Sequence, residues 1–293
     1  MKDLYELRRN IYSQNGEDGI LGEILSEEGI DRGYFLEFGA GDGKFSSNCA
    51  NLMDKMWKGC FIEGDGKKFH DLNKNIEKDG ILKLCHWVQP EGVWSLDSIC
   101  ASNGISRIDV LSIDIDGDDL ACWGGLTIIK PTVVIIEHNP TIPADVEYIN
   151  PRGKNHGNSA LAIQNFAIKN GYTLIDGTLT NLIFVKDGSK SILSFKNKSL
   201  TEIRSQTGGQ RYFFGYDGTL IRTQPSGGTK IPEFVSVPWT SPPVVFPQPL
   251  PKHFRYMGHS TLRAILLNMI VVLVRPIPFL IALKRSSLKR RHL

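Results

Sequence analysis

The sequence predicts a doubly wound α/β domain: a mostly parallel seven-stranded sheet with helices on both faces and an antiparallel hairpin at one edge. Three observations predict it. Between Tyr34 and Lys186, short apolar runs alternate with helix-like stretches, the succession expected of strand–helix–strand units. The central runs, "IDVLSID" and "TVVIIE", are nearly continuous in Val, Ile and Leu, which a strand needs only when both of its faces are covered. The last two runs, "YTLI" and "NLIFV", are separated by "DGTLT" alone, too short for a helical crossover, so they pair antiparallel.

Taken in order, residues 1–33 form an N-terminal helical cap, with Ser13 of "SQNGEDGILGEIL" placed as the N-cap of an amphipathic helix. Strands are expected at 34–38, 59–63, 82–88, 108–114, 132–137, 172–175 and 181–185, so the sheet domain occupies 34–188. Residues 189–222 extend it, with a hairpin in "YFFGYDGTLI". Residues 223–251 hold eight of the fifteen prolines and read as a semi-extended, polyproline-like linker. A basic amphipathic tail, 252–293, closes the chain.

Composition narrows the class. A length of 293 residues with 41% hydrophobic content supports one large core. None of the five cysteines forms a Cys-x-x-Cys pair, so neither a zinc ribbon nor a disulfide framework is indicated, and reduced, buried thiols of a cytoplasmic protein are expected. The start, "MKDLYELRRN", lacks the apolar core of a secretory leader. Every acid lies at or before Glu233 and nine Lys and Arg follow it; residues 1–233, with 25 basic and 31 acidic side chains, carry −6 and the remainder +9. In the tail, Arg275, Pro276 and Pro278 interrupt the apolar run before it reaches the roughly 20 residues of a spanning helix. An in-plane anchor through 259–293, at an anionic membrane surface on the inner face, fits better; a helix docked on the domain or on a second subunit is the alternative. No nucleic-acid partner is expected.

The loop "FLEFGAGDGKFSSN" sets Gly39, Gly41 and Gly43 between a strand and a helix start, where absent Cβ atoms let the backbone turn tightly and approach a ligand. The spacing is wrong for a phosphate loop, and the gap from the second to the third glycine is one residue short of a dinucleotide fingerprint. Glu37 and Asp42 flank the loop and would repel a pyrophosphate while tolerating a sulfonium and an ammonium group. Glu63, ending the next strand, is placed to accept ribose hydroxyls.

The second feature is "LSIDIDGDDL", with Asp114, Asp116, Asp118 and Asp119 ending an otherwise apolar strand, followed by Glu137 and His138 at the end of the next. In a parallel sheet these ends share one edge, so Asp116, Glu137 and His138 are expected to converge. Clustered carboxylates repel unless a positive charge joins them, and oxygen ligands suit magnesium or manganese. Asp118 and Asp119 serve equally well as caps of the helix starting near Leu120, and His138 without a metal would itself serve as a base. The loop "NHGNS", 155–159, is polar enough to contact a sugar.

Residues 12–186, through "YSQNGEDGIL", "FLEFGAGDG", "SNCANL", "IEGD", "LSIDIDGDD", "VVIIEHN" and "NGYTLID", resemble the FkbM-type methyltransferases, a class I, Rossmann-like S-adenosylmethionine-dependent family that methylates hydroxyls of sugars and polyketides. The resemblance implies an O-methyltransferase acting on a glycan, glycolipid or other sugar-containing acceptor. The cofactor is expected on Glu37, Gly39, Ala40, Gly41, Gly43 and Glu63, with Asn48 serving equally well as a structural residue and Asp114, where the likeness is weakest, open between the cofactor and loop amides. The stretch "DIDGDD" followed by "EHN" is also similar to the motifs of metal-dependent sugar O-methyltransferases. That likeness puts Mg2+ or Mn2+ on Asp116, Glu137 and His138, with Asp118, or else His138, as the base. The chain departs from that pattern with Asp114 in place of His and Glu137–His138 in place of two acids. A non-catalytic cofactor-binding scaffold localised by its tail is the rival reading; an NAD-dependent oxidoreductase is disfavoured by the glycine spacing.

Overall fold

The computed structural model describes residues 1–207 and two short strands at 212–214 and 220–222. Residues Met1–Thr207 form one compact unit. Its elements are a 3-10 turn (Leu4–Leu7), α1 (Glu17–Glu28), β1 (Tyr34–Phe38), α2 (Ala50–Asp54), β2 (Lys58–Ile62), α3 (Gly66–Asn75), β3 (Ile81–Leu84), α4 (Leu96–Ser102), β4 (Val110–Ile113), α5 (Asp119–Gly124), β5 (Val133–Glu137), α6 (Ala160–Lys169), β6 (Tyr172–Gly177), β7 (Asn181–Lys186), α7 (Ser191–Ser194) and α8 (Leu200–Thr207). In the second unit, β8 (Tyr212–Phe214) and β9 (Leu220–Arg222) pair antiparallel, forming the hairpin expected there. The proline-rich segment 223–251 and the tail 252–293, with its expected anchor, lie outside the described residues. No helix among the described residues is long and apolar enough to cross a membrane.

The sheet order is β3-β2-β1-β4-β5-β7-β6, parallel throughout except for β7, which runs antiparallel to both β5 and β6. The seven strands and the edge hairpin are those the apolar runs indicate. Successive side chains of a strand point to opposite faces, and both faces are covered. Leu36, Phe38, Leu111, Ile113, Val134 and Phe184 pack with Trp123 and Ile163 on one side. Phe35, Phe61, Val110, Ile135 and Ile183 pack with Ile20 and Leu52 on the other. Continuous Val and Ile in β4 and β5 thus reflect burial on two sides.

The boundaries shift where local chemistry overrides the pattern. α1 starts at Glu17 with Gly16 (φ 101°) as its N-cap, not Ser13. One oxygen of Asp18 gathers the amides of Ile11, Tyr12 and Ser13, each at 2.8 Å, so the chain is still a closed loop at Ser13. β3 stops at Leu84, four residues earlier than the apolar run, because the chain turns out with Trp87 exposed. The N-terminal cap and the segment after β7 are tied to the sheet by Lys198, which pairs with Asp3 (2.6 Å) and with the buried Asp176 (3.3 Å). Of the five cysteines, all free, Cys85 is exposed and not buried as expected.

Candidate active site

Strand register brings the candidate residues to one edge. Phe38, the last residue of β1, pairs with Ile62 and Ile113, and Ile113 with Ile136, so Gly39, Glu63, Asp114 and Glu137 each follow or end adjacent strands at the carboxyl side of the sheet. Such an edge, where the strand order reverses between β1 and β4, is where open α/β sheets bind ligands.

The loop after β1 is built for close approach. Gly39 (φ 75°) donates to the Ile62 carbonyl at 3.0 Å, Ala40 to the same oxygen at 3.2 Å, and Ala40 is buried. At Gly41 (φ 57°) an added Cβ would meet nothing within 4 Å, so the turn opens onto free space. Its amide donates to Glu63 Oε2 at 2.7 Å, while Oε1 takes the Asp65 amide at 2.7 Å. A carboxylate has about four acceptor positions, which leaves Glu63 capacity for hydroxyl donors. Gly43 (φ 78°) packs on Ile76.

Glu37 and Asn48, both expected at the cofactor, are buried behind the loop. Glu37 is buried and its carboxylate takes the Ser47 hydroxyl (2.6 Å), the Asn48 amide (2.9 Å), the Ser112 hydroxyl (3.2 Å) and the Cys49 amide (3.3 Å). Asn48 Nδ2 donates to Ser112 Oγ at 3.1 Å. Both side chains fasten the start of α2 to β1 and β4, so they shape the loop from behind. Burial pushes the Glu37 carboxyl above its usual range, against the pull of its hydrogen bonds from Ser47, Asn48 and Ser112.

The acidic edge gathers a different trio from the one expected. Oxygens of Asp114, Asp116 and Glu137 all lie within 4.8 Å of one another. His138 does not join them. Consecutive strand residues face opposite ways, and His138 is 1% exposed in the interior, near Arg204 and the Thr178 backbone. Backbone groups of Asn139 and Thr178 approach the ring without reaching hydrogen-bond geometry, and neither ring nitrogen makes a hydrogen bond. Its pKa is lowered to about 4, first by burial and then by the Arg204 charge. Asp114, counted among the cofactor candidates, takes the place in the cluster that His138 was to fill.

Local backbone explains the clustering. β4 ends at Ile113, and Asp116 stands at φ 59°, a left-handed conformation that Asp tolerates better than most residues. The turn is fixed by Asp119, buried, whose two oxygens take the Ile115 and Gly117 amides at 2.8 Å each. Asp119, the first residue of α5, thus organises the acidic turn, a role the sequence reading did not give it. Asp118 stands at the N-cap position of α5 with no capping bond. Its carboxylate instead accepts from Gly153 N (3.2 Å) and Asn150 Nδ2 (3.3 Å) and faces Arg152 Nε at 3.8 Å. Asp118 is engaged in holding the long loop after β5.

Burial and mutual repulsion hold the carboxyls of Asp114 and Glu137 above their usual range. The Asp114 carboxyl is raised first by burial, then by the charges of Asp119 and Asp116. Glu137 is raised first by burial, then by Asp114, with which it shares a hydrogen bond. The donor set is all oxygen, which fits a hard divalent cation. Across the rim, residues 139–159 are stitched down by Asn158 Nδ2 to Gly117 O (3.1 Å), by Asn139 N to Asn158 O (2.8 Å) and by Asn139 Nδ2 to His156 O (2.6 Å). The Asn spacing that does this was present in the sequence, read there only as a polar loop.

Residues 89–173 match the methyltransferase FkbM domain, a stretch that contains the acidic turn, Glu137 and the loop after β5. No curated protein matches the chain significantly. Similar solved structures include TrmK of M. capricolum in complex with S-adenosyl-homocysteine (13% identity, 57% of this chain and 68% of that one, TM-score 0.37). A S-adenosylmethionine-dependent methyltransferase from Clostridium acetobutylicum is also similar (9%, 57% and 89%, TM-score 0.38). A third is the precorrin-6y C5,15-methyltransferase of Geobacter metallireducens (14%, 62% and 93%, TM-score 0.39).

Proposed function

We propose, on the premise that the chain carries a methyltransferase FkbM domain over residues 89–173, that it transfers a methyl group from S-adenosylmethionine to a hydroxyl of a glycan, glycolipid or related sugar-containing acceptor. The observation that carries the donor assignment is the pairing of Gly41 and Glu63. A left-handed glycine turn opens onto free space and its amide meets, at 2.7 Å, a carboxylate with acceptor positions left over. Glu63 would take the ribose hydroxyls, and the Gly39–Gly43 backbone would lie along the rest of the nucleoside. The acid-rich surroundings favour a cationic methyl donor over a pyrophosphate.

Asp114, Asp116 and Glu137 fit a divalent cation by their oxygen donors and mutual proximity. Bound there, magnesium or manganese would lower the pKa of the acceptor hydroxyl. The residues themselves orient the acceptor at the strand edge beside the methyl donor, and alignment supplies most of the rate. The basic tail, 259–293, would hold the enzyme at the cytoplasmic membrane surface, near a lipid-linked acceptor.

One calorimetric titration tests the core of this reading. S-adenosylhomocysteine should bind, more tightly with magnesium present, and NAD should not. Binding of NAD in preference to S-adenosylhomocysteine would overturn the donor assignment. For the tail, a chain lacking 259–293 should leave the membrane pellet; unchanged fractionation would refute the anchor.

A further inference from the structure

Methyl transfer to a hydroxyl needs a group to take the hydroxyl proton, and both expected bases have surroundings that compete with that role. His138 is buried, and the Asp118 carboxylate is occupied by Gly153, Asn150 and Arg152. We propose that His156 is the catalytic base, with Tyr148 as the residue that positions it; this rests on the methyltransferase reading above.

His156 lies in the loop that the acidic edge itself holds in place. Its carbonyl accepts from Asn139 Nδ2 at 2.6 Å and its amide donates to Asn150 Oδ1 at 3.2 Å, so its backbone is fixed from two sides. Asn139 stands two residues beyond Glu137, just past the end of β5. Asn150 in turn reaches the Asp118 carboxylate. The imidazole is exposed, and its Nδ1 lies 3.0 Å from the Tyr148 hydroxyl oxygen. Tyr148 is itself clamped: its amide donates to Ser159 Oγ (2.8 Å) and its carbonyl accepts from Ser159 N (2.9 Å) at the start of α6. In the tautomer the reaction needs, Nδ1–H donates to the Tyr148 oxygen and Nε2 keeps its lone pair free to accept a proton.

The step balances without any further reagent. The acceptor O–H bond breaks as its proton passes to His156 Nε2, and the oxygen electron pair forms the O–CH3 bond. The S–CH3 bond breaks, its electrons return to sulfur, and neutral S-adenosylhomocysteine leaves. The exposed imidazolium then releases the proton to solvent.

The test measures S-adenosylhomocysteine release from S-adenosylmethionine with a panel of methyl glycosides as acceptor probes, beside calorimetric affinity for S-adenosylhomocysteine. His156→Gln should lower kcat by about 100-fold or more while leaving acceptor KM and S-adenosylhomocysteine affinity within about threefold. His156→Ala should regain part of its rate when imidazole is added. Tyr148→Phe should lower kcat by about tenfold with KM unchanged, and the double variant should be no slower than His156→Gln, since the two act as one unit. Turnover by His156→Gln within about threefold of wild type, or additive losses in the double variant, would overturn the assignment with the methyltransferase reading intact. Wild-type protein that binds S-adenosylhomocysteine yet methylates no glycoside hydroxyl would overturn the hydroxyl-acceptor reading, and the base with it.

Discussion

Gly39 passes so close to the backbone of Asp114 that a Cβ atom on Gly39 would fall 1.6 Å from the Asp114 carbonyl oxygen. The glycine loop and the acidic edge are therefore in close backbone approach. Gly41, two residues on, has the same handedness of backbone and nothing within 4 Å of its added Cβ. The two glycines should answer the same substitution differently. Gly39→Ala should destabilise the fold by about 3 kcal/mol, adding a backbone collision to the left-handed penalty. Gly41→Ala should cost about 1 kcal/mol in stability, yet weaken S-adenosylhomocysteine binding by about tenfold or more, because its methyl enters the space the ligand needs. Urea denaturation and calorimetry measure the two quantities; equal stability losses would show that Gly41 is a turn residue and nothing else.

The acidic trio should trade stability for function. A carboxyl whose folded pKa is raised contributes stability below its unfolded pKa, near 3.8 for Asp114, and that contribution is lost as pH rises through the folded value. Asp114→Asn removes the repulsion that Asp119 and Asp116 impose, so it should stabilise the protein near pH 8 by about 1 kcal/mol and do little near pH 5. The same variant should abolish any magnesium dependence of ligand binding. Thermal unfolding at both pH values decides it, and a variant destabilised equally at both would mean that the cluster is not under electrostatic strain.

Glu37 accepts four hydrogen bonds from three consecutive residues and Ser112, all of them donors. A glutamine there would present its NH2 to donors and leave at least one of them unsatisfied in the interior. Glu37→Gln should therefore lower stability by about 2–3 kcal/mol. At saturating protein stability, in the presence of an osmolyte, S-adenosylhomocysteine affinity should stay within about fivefold of wild type. A loss of affinity beyond about 100-fold in a folded variant would return Glu37 to direct ligand contact.

The fold was legible because burial on two faces writes itself as continuous apolar runs, and the five residues before Asn181 permit only a hairpin. The glycine loop and Glu63 were legible because close approach and a strand-end acid leave a local mark. Side-chain direction was not. Glu137 and His138 are adjacent in sequence, yet only Glu137 joins the acidic trio while His138 is buried. Nor could the sequence show that Asp118 is taken up by Gly153, thirty-five residues away, since such a contact leaves no local signal. The base assigned to His156 was hidden for the same reason, inside a polar loop whose anchoring depends on partners at Asn139 and Asn150.

His138 gives the last expectation, and it is one of acid stability. Its folded pKa lies near 4, below the ordinary 6.5, because its ring is buried and Arg204 is close. A histidine depressed in this way contributes stability above pH 6.5, lost as pH falls toward 4, since the unfolded chain takes up the proton first. The difference amounts to an order of 3 kcal/mol between those limits. Neither ring nitrogen makes a hydrogen bond, so an aromatic ring of similar shape should be tolerated. His138→Phe should therefore match wild type near neutral pH, lose most of the decline in stability between pH 6.5 and 4, and keep its methyl-transfer rate within a few-fold. Denaturation at a series of pH values measures the first two. An unchanged acid decline would place the titrating group elsewhere, and a rate loss comparable to that of His156→Gln would mean that the interior histidine reaches the site after all.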